Sequence, residues 1–358
     1  DPIKAANLRL NFADEQVIHF GIIPKSNRGI FVINEIPDLQ ARIQVSLFNI
    51  LEEGDIQIRG FKLRMPLDIL FVFTANPEDY TNRGSIVTPL KDRIESQILT
   101  HYPKSIETAL AITEQEADVL EEQKAVVKVS DLVKRLIEQV AFEARSSEYV
   151  DKKSGVSARL TIAAYENAVS AAERRAILNK EKETQVWMSD LVGIIPSITG
   201  KIELVYEGEQ EGPYQVAFNL LEKAFRSRFV NYFPNPDQLK KRKATETREE
   251  NPFRPIILWF DKGNQLNLFF NTKDDDKMQQ LYRVDGLHAL IKKYFKHAND
   301  KETALLMEFV LHGLAAYSLI SKKVVEGKIE FKDLIGSMVN LGPASHSNEE
   351  DFDSDDFN

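Results

Sequence analysis

Residues 21–39 read GIIPKSNRGIFVINEIPDL and residues 67–76 read LDILFVFTAN. Each stretch holds a short run of branched and aromatic residues, 29–33 and 67–73. The first run is followed at once by Asn34 and Glu35, the second by Thr74, Ala75 and Asn76. Apolar runs that are continuous rather than alternating predict strands buried on both faces. Between them Leu39, Ile43, Leu47, Ile50 and Leu51 recur at helical spacing, starting from Asp38 as N-cap and ending at Gly54. Strand, helix and strand in that order predict a parallel α/β sheet. The carboxyl ends of such strands line one crevice, so Asn34, Glu35 and Asn76 are expected to converge there. Gly60 separates two alternating segments, 55–59 and 61–65, which read as a hairpin. A short helix over 90–96 and a strand over 97–101 are expected to close this unit.

Composition narrows what such a crevice can serve. The chain has 358 residues and no cysteine, with 46 Lys and Arg against 55 Asp and Glu, a net charge of −9. Without cysteine there are no disulfides, thiolate zinc sites or cysteine nucleophiles. A net negative charge argues against coating nucleic acid by bulk charge, and no specific nucleic-acid contact is expected. The acidity is concentrated at one end. Glu349, Glu350, Asp351, Asp353, Asp355 and Asp356 lie in 347–358 with no base among them. The longest apolar run, 304–320, is interrupted by Glu308 and His312 and is shorter than the roughly 20 residues of a membrane span, so it reads as a buried helix. No export signal is evident, and a cytoplasmic protein without a membrane span is expected. The six histidines, His19, His101, His288, His297, His312 and His346, show no H-E-x-x-H or comparable spacing.

Beyond the first unit the pattern changes. The expected division is an α/β core over 1–103, an all-helical domain over 104–182, a mixed connecting region over 183–236, an exposed linker over 237–251, a hairpin plus helices over 252–342 and a disordered acidic tail over 343–358. The linker carries the basic run Lys240 to Lys243, read as solvated rather than as a nucleic-acid contact. Segments 255–260 and 265–270 flank Asp261-Lys-Gly-Asn264 and read as a hairpin.

Nucleotide hydrolysis needs a group near Mg²⁺, a base or polariser for water, a polar residue near the γ-phosphate and a cation for developing charge. Asn34, Glu35, Asn76 and Arg93 supply one candidate each, in that order along the chain. The stretches GIIPKSNRGIFVINEIPDL, LEEGDIQIRGFKLRMP, FTANPEDY and TPLKDR resemble the AAA+ ATPase core of the magnesium-chelatase subunit I and MoxR-type group. Gly155-Val-Ser-Ala-Arg159 resembles the sensor 2 segment of that group's helical lid. The resemblance covers roughly residues 1 to 180.

By this resemblance Glu35 takes the place of the Walker B glutamate that polarises the attacking water. Asn34 stands where a Mg²⁺-associated aspartate is usual, Asn76 matches sensor 1, Arg93 the arginine finger and Arg159 sensor 2. The hairpin at 55–65 matches the presensor 1 insertion. The resemblance implies ATP and Mg²⁺ as ligands and a homo-oligomeric ring, a hexamer, often with a partner carrying a von Willebrand A domain.

Two departures bear on the chemistry. Asn34 is neutral, so any hold on the cation is indirect, through a metal-bound water. No G-x-x-x-x-G-K-[ST] occurs; at Gly200-Lys201 the first glycine is replaced by Ile195 and the Ser or Thr by Ile202. The chain starts at Asp1 rather than Met, and the phosphate-binding loop is expected upstream of it. The residues leave open an ATP-driven remodelling ATPase, a true magnesium-chelatase ATPase subunit, a non-hydrolysing nucleotide-binding scaffold, and a transcription activator. Against the last, the GAFTGA loop is missing from the region around residues 8 to 20.

Overall fold

The computed structural model describes residues 2–10, 15–17, 19–57, 64–76, 85–241 and 251–334. The chain forms two units, Asp1–His101 and Tyr102–Asn358.

In the first unit β1 (Ile30–Ile33) and β4 (Leu70–Phe73) pair in parallel, with Ile30 opposite Leu70 and Ile33 opposite Phe73. Ile33, Phe71 and Phe73 pack against a small core built on Ile36, Leu47, Ile50 and Leu90, and Phe31 meets Phe71 on the same face. Their rings meet edge to face between Phe31 and Phe71 at 5.7 Å and stacked between Phe71 and Phe73 at 6.1 Å. The expectation of burial on both faces is corrected. Ile30 and Leu70 remain 67% and 61% exposed. Strand side chains alternate between faces, and among the described residues of this unit only one face is packed.

The single helix expected from Asp38 to Gly54 is three pieces: a 3₁₀ turn at Ile36–Asp38, α1 (Ala41–Ser46) and α2 (Phe48–Glu53). Asp38 lies inside the turn and Gln40 takes the N-cap position of α1. The buried Gln44 explains the break. Its amide donates to the carbonyls of Leu39 at 2.9 Å and Ser85 at 3.2 Å and accepts the Val87 N–H at 2.9 Å, pinning the segment to a neighbouring loop. Gly54 does end α2, at φ 62°, a left-handed conformation that suits glycine. The hairpin forms as β2 (Asp55–Gln57) against β3 (Arg64–Pro66); its turn lies outside the described residues. The closing helix is shorter and earlier than expected, α3 (Thr88–Asp92), and 97–101 forms no strand, leaving Ile98 and Leu99 exposed.

The second unit is organised around one continuous apolar core running from Val119 to Phe331. Its main helices are α4 (Asp131–Ser146), α5 (Arg159–Asn179), α6 (Pro213–Phe229), α7 (Leu287–Tyr294) and α8 (Asp300–Ala316). A parallel bridge joins β5 (Val127–Lys128) to β6 (Thr184–Gln185). The run read as a buried helix is α8, solvent-free from Thr303 to Leu314. The hairpin expected at 255–270 is corrected. Arg254–Asp261 is an α-helix, because Pro255 sits in its first turn, where a missing N–H costs nothing, and Ile256 and Phe260 bury the same face. β7 (Leu266–Phe269) instead pairs with β9 (Lys328–Lys332), which pairs in turn with β8 (Ser321–Val325). The acidic tail lies outside the described residues.

Within this core His312 stacks on Phe225 at a centroid distance of 4.5 Å, and its Nδ1 accepts from the Lys322 ammonium at 3.1 Å. An ammonium can only donate, so the ring proton belongs on Nε2, which has no hydrogen-bond partner. Burial, then the charges of Lys322 and Lys277, hold the imidazolium well below its ordinary range. The unfolded ring titrates near 6.5. Below that value the unfolded chain binds the extra proton first, so stability falls as pH drops toward the lower folded value. Glu138 and Glu308, pushed up by burial, have the opposite sign above about 4.5. The difference between wild type and His312→Gln isolates the histidine. In urea unfolding across pH 5 to 7 the wild-type slope should exceed that of the variant by up to ~1.4 kcal/mol per pH unit; equal slopes would remove His312 from the account.

Candidate functional site

Parallel pairing of β1 and β4 brings both strands to an end at the same level, with Ile33 opposite Phe73. The Thr74 N–H donates to the Ile33 carbonyl at 3.0 Å and the Ile36 N–H to the Thr74 carbonyl at 2.9 Å, so the ladder continues into both loops. Thr74 then ties the crevice together through its hydroxyl. Oγ1 accepts the Glu35 N–H at 3.0 Å and donates to Asn34 Oδ1 at 3.4 Å. The Asn76 amide reaches the Glu35 carboxylate, with Nδ2 at 3.3 and 3.4 Å from its two oxygens. Asn34, Glu35 and Asn76 thus meet, as the strand order predicts. Thr74 is a member that sequence reasoning missed. Its signal was its place as the first residue after the second strand, where a hydroxyl can serve two loops.

Glu35 sits at φ 52° and ψ 55°, left-handed for a residue with a Cβ. Such conformations cost on the order of 1–3 kcal/mol and persist where the surroundings fix them, as the flanking bonds to Thr74 do here. Asn34 and Asn76 are exposed and Glu35 is half-buried.

Arg93 follows the last residue of α3, where Leu90 anchors the helix in the small core. Its Nε donates to Glu52 Oε2 at 2.9 Å, Nη2 bonds the same oxygen, and Nη1 donates to the Pro89 carbonyl at 2.7 Å. The guanidinium also lies 5.0 Å from the centre of the Phe48 ring. The position is therefore fixed by α2, and Glu52 is a second residue the sequence did not single out.

Arg159 belongs to the second unit, at the first position of α5, with an exposed side chain. The preceding turn is anchored locally: Gly155 is at φ +72° and the Tyr102 hydroxyl accepts the Val156 N–H at 2.8 Å.

The crevice donors are one carboxylate, two amides and a hydroxyl. Mg²⁺ is commonly held by few protein oxygens together with phosphates and waters, and this set fits that use. Among the described residues no group of three or more His, Cys, Asp or Glu could cage a metal on its own. Also among the described residues, no helix is long and apolar enough to cross a membrane.

Comparison with known proteins finds partial likenesses. The family model described as the sigma-54 interaction domain matches residues 11–98. The magnesium-chelatase 38 kDa subunit of Cereibacter sphaeroides is 25% identical over 100 residues, 27% of this chain and 29% of that protein. The chain thus spans less than a third of that relative's length. A crystal structure of a Cytophaga hutchinsonii protein provisionally described as an ATPase aligns at 21% identity and a TM-score of 0.23, covering 54% of this chain and 65% of that one. Residues 11–98 are thus similar to the sigma-54 interaction domain, and the chain bears a partial likeness to a magnesium-chelatase subunit, in keeping with the α/β arrangement that the parallel pairing of β1 and β4 gives the first unit.

Proposed function

We propose that this chain is part of an ATP-hydrolysing AAA+ remodelling ATPase that works as a ring, a hexamer, with nucleotide held between neighbouring copies. The observation that carries the reading is the convergence of Asn34, Glu35 and Asn76 at the ends of two parallel strands. Glu35 orients and polarises the attacking water. The Asn76 amide, bonded to that carboxylate, senses the γ-phosphate and couples its presence to the position of Glu35. Asn34, held by Thr74, accepts a hydrogen bond from a cation-bound water. Mg²⁺, bound with ATP, neutralises charge on the phosphates. Arg93 is presented by α2 and α3 toward the nucleotide of the adjacent copy, and Arg159 links the helical segment over 104–182, acting as a lid, to the nucleotide. A von Willebrand A-domain protein is the proposed partner class.

The test uses the natural full-length protein. Arg93→Ala should abolish phosphate release while changing ATP affinity less than about threefold. Mixed with a Glu35→Gln protein, it should regain part of the activity, because one interface then holds an intact Arg93 and an intact Glu35. Mixtures as inactive as either parent would place Arg93 outside the neighbour's site. The chelatase likeness favours a second reading, in which the ring drives metal insertion into a porphyrin; a metal-insertion assay with candidate partner subunits separates the two.

A further inference from the structure

In the second unit a cavity of about 440 Å³ opens between the start of α4 and the turn that joins α7 to α8. Its walls are apolar, formed by Leu132, Tyr294, Phe295, Leu305 and Leu306. Pockets of this size lined by aromatic and aliphatic side chains suit one or two inserted rings. Lysines gather on the α7 side of the opening. Lys296 and His297 line it, and Lys292 and Lys293 end α7 beside it. Lys293 lies 5.9 Å from the centre of the Tyr294 ring and Lys292 bonds the Ala298 carbonyl at 2.9 Å, so both charges are held near the opening. Glu302 also lines the cavity, but its carboxylate is taken up by the Asn299 N–H in the capping box of α8. Glu302 lines the opening and Asp131 and Asp300 flank it, so its acidic side lies at the starts of α4 and α8.

The complementary chemistry is present in the same chain. Residues 349–357 read EEDFDSDDF, with Phe352 and Phe357 set among six carboxylates and no base. We propose that this acidic, aromatic segment docks in cis on the α7–α8 cavity, inserting a phenylalanine ring while its carboxylates face Lys293, Lys296 and His297. Reach permits it. Phe352 lies 18 positions beyond Leu334, the last described residue. Eighteen residues can span at most about 60 Å, more than three times the radius of gyration of about 17 Å for a body of this size. A tether of this kind supplies an effective concentration in the millimolar range, so a contact too weak to hold a free peptide tightly is still well populated within the chain. Rings supply the contact area and charge supplies the register, so the interaction should also weaken with salt.

The experiment compares binding of a fluorescent peptide with the sequence of residues 346–358 to the full chain and to the full chain carrying Phe352→Ser and Phe357→Ser. Each variant is first compared with the unaltered chain by urea unfolding. The peptide should bind the variant at least fivefold more tightly, because the chain's own segment no longer competes. Adding Lys293→Glu and Lys296→Glu, both exposed positions, should remove that binding. Equal affinity for the two chains, no saturable binding up to several millimolar, or indifference to the lysine reversals would each overturn the proposal. Hydrogen exchange of amides 294–298 supplies the remaining arm. Protection independent of protein concentration supports docking in cis, whereas protection lost on dilution assigns the cavity to the tail of a second copy and contradicts it.

Discussion

Replacing Glu35 by Gln should lower ATP turnover by about 10²- to 10⁴-fold, the range lost when a positioned general base is removed. Nucleotide should still bind, because the amide keeps the shape of the carboxylate and its contact to Asn76, so the variant should trap ATP. The argument is geometric. At the mouth of a parallel strand pair the Thr74 hydroxyl fixes the left-handed Glu35 backbone, and the Asn76 amide orients the carboxylate. Single-turnover phosphate release reads the loss, and equilibrium binding reads the retention. Wild-type turnover in Glu35→Gln would take Glu35 out of the mechanism, and turnover absent from the wild type itself would favour a non-hydrolysing scaffold.

Arg175→Met should destabilise the second unit by roughly 3–5 kcal/mol, the cost of leaving buried carboxylates without their counter-charge. Arg175 is 1% exposed. It grips Asp190 with Nε at 3.2 Å and Nη2 at 3.0 Å, and Nη1 donates to Asp274 at 2.6 Å. Asp274 also receives the Trp187 indole N–H at 2.7 Å, and Asp190 receives the Trp187 backbone N–H at 2.8 Å. One guanidinium therefore joins α5 to the segment around Trp187 and to the helix beginning at Asp274. A loss of that size is a third or more of a typical domain's stability and corresponds to on the order of 10 °C in Tm. Arg175→Lys should recover only part of it, since an ammonium cannot span both carboxylates in the planar fork. Urea midpoints unchanged in Arg175→Met would mean that the network contributes nothing to stability.

The parallel strand pair and its crevice were legible in the sequence because both rest on local patterns: unbroken apolar runs, followed directly by amide, hydroxyl and carboxylate residues. The anchoring of α1 by Gln44 was not legible, because it depends on a side chain reaching a loop more than 40 positions away. Glu52 escaped notice for a similar reason, since only the fold reveals that it meets Arg93. At 255–270, flanking apolar runs around Lys262-Gly263 imitated a hairpin, whereas Pro255 and the Ile256 and Phe260 spacing carried the correct helical signal. The Arg175 network gave no sequence sign at all. Its members are ordinary surface residue types, drawn together from positions 175, 190 and 274 only by tertiary packing.

The most direct test of the central claim is a structure of the natural full-length protein in complex with Mg²⁺ and a non-hydrolysable ATP analogue. The account predicts the γ-phosphate within hydrogen-bond reach of Asn76 Nδ2 and a water held by the Glu35 carboxylate in line with the terminal phosphorus. A triphosphate bound elsewhere, or Glu35 and Asn76 turned away from it, would contradict the account.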